Sequence, residues 1–353
     1  MTTYKDAGVD TAAGDAASKA AYARAAGTFP SRAGMIGAPV EEADGYAGLL
    51  DMGDFYMVQT TDGTGTKMDI AARMGRYDSL GYDLLAMVAD DAVCTGAEVI
   101  SVSNCIDVPK VDPKMIDTLL GGLAKACQAQ RIVIPAGEIA EVPGTVAHAV
   151  WSATAVGVVA KDRVMDVDLM QPGDVVLALR EHGARCNGFS LIRKILTDAV
   201  GNDWQKKKTA NGKNWGEAVL TPSVVYHDAV LRLLGRYGEK RPVNVRGIAH
   251  ITGGGIPSKF RRILKKKNLG AELTDLWEPP AFLSELIGLG SVAPEEAYRT
   301  WSMGNGMLLV LPEKEVESAL RLLKKTSVEA KRAGVITADS KIIIKSGSAS
   351  LSF

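Results

Sequence analysis

Apolar positions along this chain alternate between a strand period and a helix period, and the alternation predicts a mixed α/β protein. Residues 55–61 are β-rich and run into Asp62-Gly63, the pattern of a strand that stops in a turn. Leu80, Leu84, Met87 and Val88 recur at helical spacing and predict a helix over 78–94. A strand at 98–108, a helix at 113–128, a strand at 131–135 and a buried strand within 145–159 follow. Upstream, a helix near 15–26 gives way to a Gly/Pro-containing loop over 28–45. Near Asp168-Leu-Met-Gln-Pro-Gly-Asp174 the texture changes and a new apolar strand begins at Val175. The domain boundary is placed there, giving 1–170 and 171–353. The second half predicts strands at 175–179 and 307–311, with helices at 190–200, 226–237, 257–267 and 313–325. Residues 201–216, rich in Lys and Asn, read as a surface loop.

Composition narrows the class. At 353 residues the chain is too long for one ordinary core, so two domains are expected. Lys plus Arg equals Asp plus Glu, 41 each, so there is no long-range pull toward nucleic acid or an anionic membrane. Neither is expected as a partner. The basic runs at 206–208 and 265–267 read as solvated faces. Cys94, Cys105, Cys127 and Cys186 are scattered, with no CxxC pair and no His at ligand spacing. A reduced cytoplasm is the expected compartment. The N-terminus has no apolar signal core, and the longest apolar run, 147–160, is too short to span a bilayer.

Four constellations carry chemistry. In Thr60-Thr61-Asp62-Gly63-Thr64-Gly65-Thr66-Lys67, glycines let the backbone approach a ligand, Asp62 suits a cation and Lys67 a phosphate. Walker A spacing is absent, and an ordinary polar hairpin turn fits the same residues. On the predicted helix, Asp83 and Asp90 lie within about 20° of one face and Asp91 about 80° away. Leu84 and Met87 flank them, so unpaired carboxylates there would be costly. A hard cation such as Mg2+ removes that cost; capping and surface solvation of a helix end is the competing explanation. Glu138, in Pro135-Ala-Gly-Glu-Ile-Ala-Glu141, follows a strand where α/β proteins gather ligands. Glu138 and Glu141 are expected to join Asp62 and a helix Asp, sharing two or more ions. Finally, His250-Ile251-Thr252-Gly253-Gly254-Gly255-Ile256-Pro257 opens a basic helix (Lys259, Arg261, Arg262), with Pro257 suited to its first position. Unpaired N–H groups at such a start form an anion site, unless the glycines only shape the turn and His250 is a core residue. Arg185 and Asn187, just before another helix, are placed to meet an anionic substrate.

In this order the segments resemble aminoimidazole ribonucleotide synthetases (phosphoribosylformylglycinamidine cyclo-ligases) over nearly the whole chain. The resemblance rests on Tyr4-Lys-Asp-Ala-Gly-Val-Asp10, Thr61-Asp-Gly-Thr-Gly-Thr-Lys67, Asp83-Leu-Leu-Ala-Met87, Asp91 with Gly96-Ala-Glu98, and Gly137-Glu-Ile-Ala-Glu-Val-Pro-Gly144. It continues through Asn187-Gly-Phe-Ser190, His250-Ile-Thr-Gly-Gly-Gly255 and Gly304-Asn-Gly-Met307. It implies a homodimer whose N-terminal sheets join into a barrel, with a separate C-terminal α/β layer domain. It implies that ATP and a small ribonucleotide are the substrates, and that the formyl oxygen is phosphorylated before the imidazole closes. Asp62, Asp91 and Glu138 would hold Mg2+. Asp62, Gly63, Thr64, Gly65, Thr66, Asp83, Asp91 and Glu138 would form the ATP and metal site, with Lys67 and His250 as catalytic groups. Arg185, Asn187, Ser190, Thr252, Gly253, Gly254 and Gly255 would bind the ribonucleotide. The chain departs from the family at Arg185, where a His is usual, and at Ala136-Gly-Glu-Ile139, where Gly-Gly-Glu-Thr is usual. Those departures leave two alternatives: a paralogue acting on another amide or phosphate substrate, and a non-catalytic nucleotide-binding subunit.

Overall fold

The computed structural model of the chain describes residues 3–40, 47–346 and 349–353. The 41–45 part of the expected loop lies outside those residues. Helix α1 (Thr11–Ala26) is followed by strands β1 (Ala38–Pro39), β2 (Gly48–Asp51) and β3 (Phe55–Gly63). Helices α2 (Lys67–Met74) and α3 (Leu80–Val93), strand β4 (Glu98–Val108), helix α4 (Pro113–Gln130) and strands β5 (Val133–Glu141) and β6 (Val150–Ala160) complete the first half. The strands pair in the order β1-β2-β3-β6-β4-β5. All those pairings are antiparallel except β4 with β5.

Strand alternation gives this sheet two unlike faces. Val58, Thr60, Val99, Val102, Ile106, Ala153 and Ala155 are buried toward α3 and α4. The opposite face carries Thr61, Ser103, Thr154 and the exposed Ile100 and Val150, and no element of this chain covers it among the described residues. Helices α3 and α4 touch through glycines. A Cβ on Gly81 would lie 2.0 Å from the Leu123 nitrogen, and one on Gly122 would lie 2.4 Å from the Asp78 oxygen. Helix α4 starts as its sequence dictates, with the Asp112 carboxylate accepting from Lys114 N–H and Pro113 at the first position.

The second half contains β7 (Val175–Arg180), α5 (Phe189–Val200), α6 (Trp215–Val219), α7 (His227–Leu234), β8 (Gly247–His250), α8 (Gly255–Leu264) and β9 (Gly270–Leu273). It ends with α9 (Ala281–Gly290), α10 (Pro294–Thr300), β10 (Asn305–Leu311), α11 (Val316–Leu323), β11 (Ala330–Thr337), β12 (Ile342–Ser346) and β13 (Ala349–Ser352). Its sheet runs β13-β12-β9-β11-β7-β10-β8. Helices cover both faces, so β7 and β10 are continuous apolar runs. Val175, Leu177 and Leu179 face α7 and α11, together with Val93 and Cys94 from the end of α3. Val176 and Ala178 join the other core, with α5 and α8.

Three expectations need correction. The segment 201–216 is no plain surface loop, because Trp204 and Trp215 are buried in it. Glu138 and Glu141 belong to β5 itself, not to a loop after it. Pro257 stands third in α8, since the helix already begins at Gly255. Among the described residues, no helix is long and apolar enough to cross a membrane.

Candidate active site in the cleft between the two sheets

Three loops converge where the halves meet. Residues 64–66 link β3 to α2, 181–188 link β7 to α5, and 251–254 link β8 to α8. A Cβ on Gly65 would be 3.7 Å from the Cys186 oxygen, and one on Gly253 would be 3.1 Å from Asn187 Nδ2. Helices α5 and α8 therefore begin side by side, at Gly188 and Gly254; at α8 the Gly255 N–H already bonds the Thr252 carbonyl and Pro257 has no N–H. Gly188 and Gly254 have φ of 74° and 90°, a region that favours glycine. Thr252 and Ser190 belong to these two starts. Thr64 Oγ1 and Asn187 Oδ1 are buried without a hydrogen-bond partner, polar atoms at the loop junction that a ligand or water would satisfy.

Carboxylates line the same cleft. Asp62, at the end of β3, accepts from Gly63 N–H at 2.6 Å. Burial raises its pKa above the ordinary carboxylate value, against the Gly63 hydrogen bond, and the negative charge of Asp91 raises it further. Lys259, on α8, senses both carboxylates; burial and the neighbouring Arg262 lower its own pKa. Asp91 keeps 24% of its side chain accessible and bonds His250 Nδ1 at 2.6 Å. Two carboxylates and a lysine thus share one partly desolvated corner.

The expected acidic face of α3 is present, but protein cations neutralise it. Lys67 Nζ donates to Asp83 Oδ1 and to the Thr221 carbonyl, both at 2.8 Å, and both charged side chains are fully buried. Ser223 adds two donors to the same Asp83 oxygen. Arg185 Nη2 donates to Asp90 Oδ2 at 2.9 Å, and its Nη1 to Glu181 Oε2 at 2.8 Å. One guanidinium stands between two buried carboxylates. Burial opposes its charge, yet Glu181 and Asp90 raise its pKa above the ordinary value. Burial lifts Asp90 to about 7, with Arg185 opposing. His250 is wholly buried; burial and the Arg185 charge lower it to about 4, so it is neutral near pH 7. Lys67 and Arg185 therefore hold the two halves together in this state and do not reach into the cleft.

Glu138 stands elsewhere. Across the sheet Asp62 pairs with Ala153, Ala153 with Asn104, and Asn104 with Gly137. Three strand spacings of about 4.8 Å put Gly137 roughly 14 Å from Asp62. Glu138, one residue on, points to the sheet's other face, and Glu141 accepts from Val111 N–H. Among the described residues, no three His, Cys, Asp or Glu side chains gather to hold a metal ion. Among the described residues the expected cluster is not assembled; Asp62 and Asp91 share a corner.

Glu181, Ser223 and Lys259 contact or neighbour the expected site residues and were not among them. Glu181 precedes Arg185 by four residues in a glycine-containing loop, and Lys259 lies on the basic helix already flagged, so both had a faint signal. Ser223 had none. Cys186 is buried and its thiol is pushed well above the ordinary value, which leaves it unsuited as a nucleophile. Trp301 is fully buried, and Trp277 lies under Arg180 and Lys331, as packing residues do.

Comparison with known proteins identifies the family. Residues 44–159 match the N-terminal domain model, and 171–346 the C-terminal domain model, of AIR synthase related proteins. A phosphoribosylformylglycinamidine cyclo-ligase of Thermococcus kodakarensis is 36% identical over 92% of both chains. That of Pyrococcus horikoshii is 34% identical over 98% of both. Among solved structures, a chain of a HypE–HypF complex superposes with a TM-score of 0.63 at 16% identity, covering 88% of this chain and 92% of that one. Thermotoga maritima PurL with ATP gives 0.60 at 15%, covering 89% and 46%. These two share the fold. The matches to both domain models, and to cyclo-ligases over nearly their full length, show that the chain belongs to the phosphoribosylformylglycinamidine cyclo-ligase family of AIR synthase related proteins.

Proposed function

We propose that this chain closes formylglycinamidine ribonucleotide to aminoimidazole ribonucleotide at the expense of ATP, releasing ADP and phosphate, in purine biosynthesis. The convergence of Asp62, Asp91 and the α5 and α8 N-termini on one cleft, in a member of this family, carries the reading. Phosphate groups of ATP and of the ribonucleotide suit the helix N-termini and the 65–66 backbone, since the Gly63 and Thr64 N–H groups are already engaged. Asp62 and Asp91 fit Mg2+: burial and the neighbouring Asp91 charge disfavour the Asp62 carboxylate, and a divalent cation shared by the two would relieve that cost. When bound, Mg2+ would neutralise the triphosphate.

The protein's remaining task is alignment. Asn187, Ser190 and Thr252 present polar atoms where the ribonucleotide would lie, and Lys259 adds positive charge beside the carboxylates. Held in line with the γ-phosphorus, the formyl oxygen becomes a phosphate ester; an internal nitrogen attacks its carbon, and phosphate leaves. Lys67 and His250 act by support, because both are buried and committed to carboxylates.

Two copies are expected to pair through the open face of the N-terminal sheet, joining their sheets into a barrel. The reading is supported by the sheet face that no described element covers, on which the exposed Val133 and Val150 lie, opposite Ser101 and Asp107 of β4. Glu138 lies on that face, so it would act only where the second subunit closes over it. To test the reaction, purified protein is incubated with Mg-ATP and formylglycinamidine ribonucleotide, and both products are followed. ADP and the imidazole should appear one to one. ADP without the imidazole would refute the assignment.

A further inference from the structure

Asp90 and Asp91 are neighbours on α3, yet each holds one end of the same hydrogen-bonded path. Arg185 Nη2 reaches Asp90 Oδ2 at 2.9 Å and His250 Nε2 at 2.5 Å, while His250 Nδ1 reaches Asp91 Oδ1 at 2.6 Å. The path Asp90–Arg185–His250–Asp91 therefore closes on itself through the helix backbone. A guanidinium has only donors, so its contact with Nε2 makes that nitrogen the acceptor. The imidazole proton must then sit on Nδ1, where it is donated to Asp91. Every bond in the path has a fixed direction.

Arg185 is itself held firmly. Its Nη1 also donates to Glu181 Oε2 and the Val224 carbonyl, and its guanidinium lies 5.3 Å from the Tyr226 ring centroid. Its backbone has φ of 54°, an uncommon conformation for a non-glycine residue that surrounding contacts must maintain. Its terminal nitrogens are engaged, its Nε is buried without a partner, and the side chain is sealed from solvent, so it does not reach a substrate directly.

We propose that Arg185 is a positioning residue, which fixes the His250 tautomer and so locks the Asp91 carboxylate in one orientation, with Oδ1 engaged and Oδ2 left for a cation. This deepens the proposed function and rests on it for the identity of the cation. An Arg185→Lys variant keeps the charge but cannot span Asp90, Glu181 and His250 with one nitrogen. Loss of such outer support typically lowers metal affinity or activity about 10–100-fold. The Mg2+ concentration for half-maximal turnover should rise at least about tenfold, with KM for the ribonucleotide unchanged within about twofold.

The second measurement needs no variant to fold and no substrate. In wild-type protein labelled with 15N-histidine, long-range 15N–1H spectra should show the His250 proton on Nδ1 and a bare Nε2. A proton on Nε2, or unchanged Mg2+ dependence in folded Arg185→Lys, would overturn the proposal. If the wild type made no imidazole while the tautomer proved correct, the proposed reaction alone would fall.

Discussion

Lys67→Met separates a structural role for this lysine from a phosphate-binding one. Lys67 lies at the start of α2, and its ammonium bridges Asp83 on α3 to the Thr221 carbonyl in the second half. Both charged side chains are wholly buried. Removing one partner of a buried ion pair costs about 3–5 kcal/mol, because the other charge is left uncompensated. Ser223 still donates two hydrogen bonds to Asp83, so the lower end, about 3 kcal/mol, is expected. At about 2–4 °C per kcal/mol for domains of this size, the melting temperature should fall by roughly 6–12 °C. A Lys67→Met/Asp83→Asn double variant removes both charges, keeps an acceptor for the two Ser223 donors, and should recover part of the loss. Melting followed by circular dichroism gives the first quantity, and calorimetric titration of the folded variant with Mg-ATP gives the second. Melting within about 2 °C of wild type, combined with a large loss of ATP affinity, would refute the structural reading.

Asp91→Asn should leave the melting temperature nearly unchanged, because the side chain is partly exposed, and should abolish ATP turnover; wild-type turnover would remove Asp91 from the site. Gly81→Ala would drive a Cβ to 2.0 Å from the Leu123 nitrogen, against backbone that cannot yield. A cost of about 3 kcal/mol or more is expected, seen as lost soluble yield, and a variant that melts like wild type would contradict the close α3–α4 contact. His227 accepts from Val99 N–H, and burial, aided by Arg236 and opposed by Asp228, lowers it to about 3. The folded state therefore resists a proton that the unfolded chain accepts. Stability tied to His227 is full above about pH 6.5 and is lost as pH falls toward about 3, by roughly 1.4 kcal/mol per unit. His227→Gln, which keeps an acceptor but does not titrate, should flatten urea midpoints between pH 6 and 4 relative to wild type; parallel profiles would exclude the effect.

Local pattern was legible where one element explains itself. The α3 stripe of Leu80, Leu84, Met87 and Val88 is buried or nearly so, and Asp83 and Asp90 do share its inner side. Their neutralising cations were not legible, because Lys67 and Arg185 arrive from segments 16 and 95 residues away in sequence. A cation-free carboxylate face therefore read as a metal site. β5 read as ending at Pro135 because Pro and Gly interrupt strand propensity; an edge strand tolerates them, and pairing with β4 carries it to Glu141. That extension turns Glu138 away from Asp62. In 201–216 the run of Lys and Asn concealed Trp204 and Trp215, which anchor the segment to the core. Helix α9 was missed because Phe282, Leu283 and Leu286 bury one side of a sequence that is apolar nearly all round.

Transfer of oxygen is the most direct test of the central claim. The formyl oxygen of formylglycinamidine ribonucleotide is replaced with 18O, the substrate is turned over with Mg-ATP, and inorganic phosphate is examined by 31P NMR. If that oxygen is phosphorylated and leaves with phosphate, each phosphate released should carry one 18O. Unlabelled phosphate, with the isotope lost to water, would mean that ATP is hydrolysed apart from ring closure and would contradict the account.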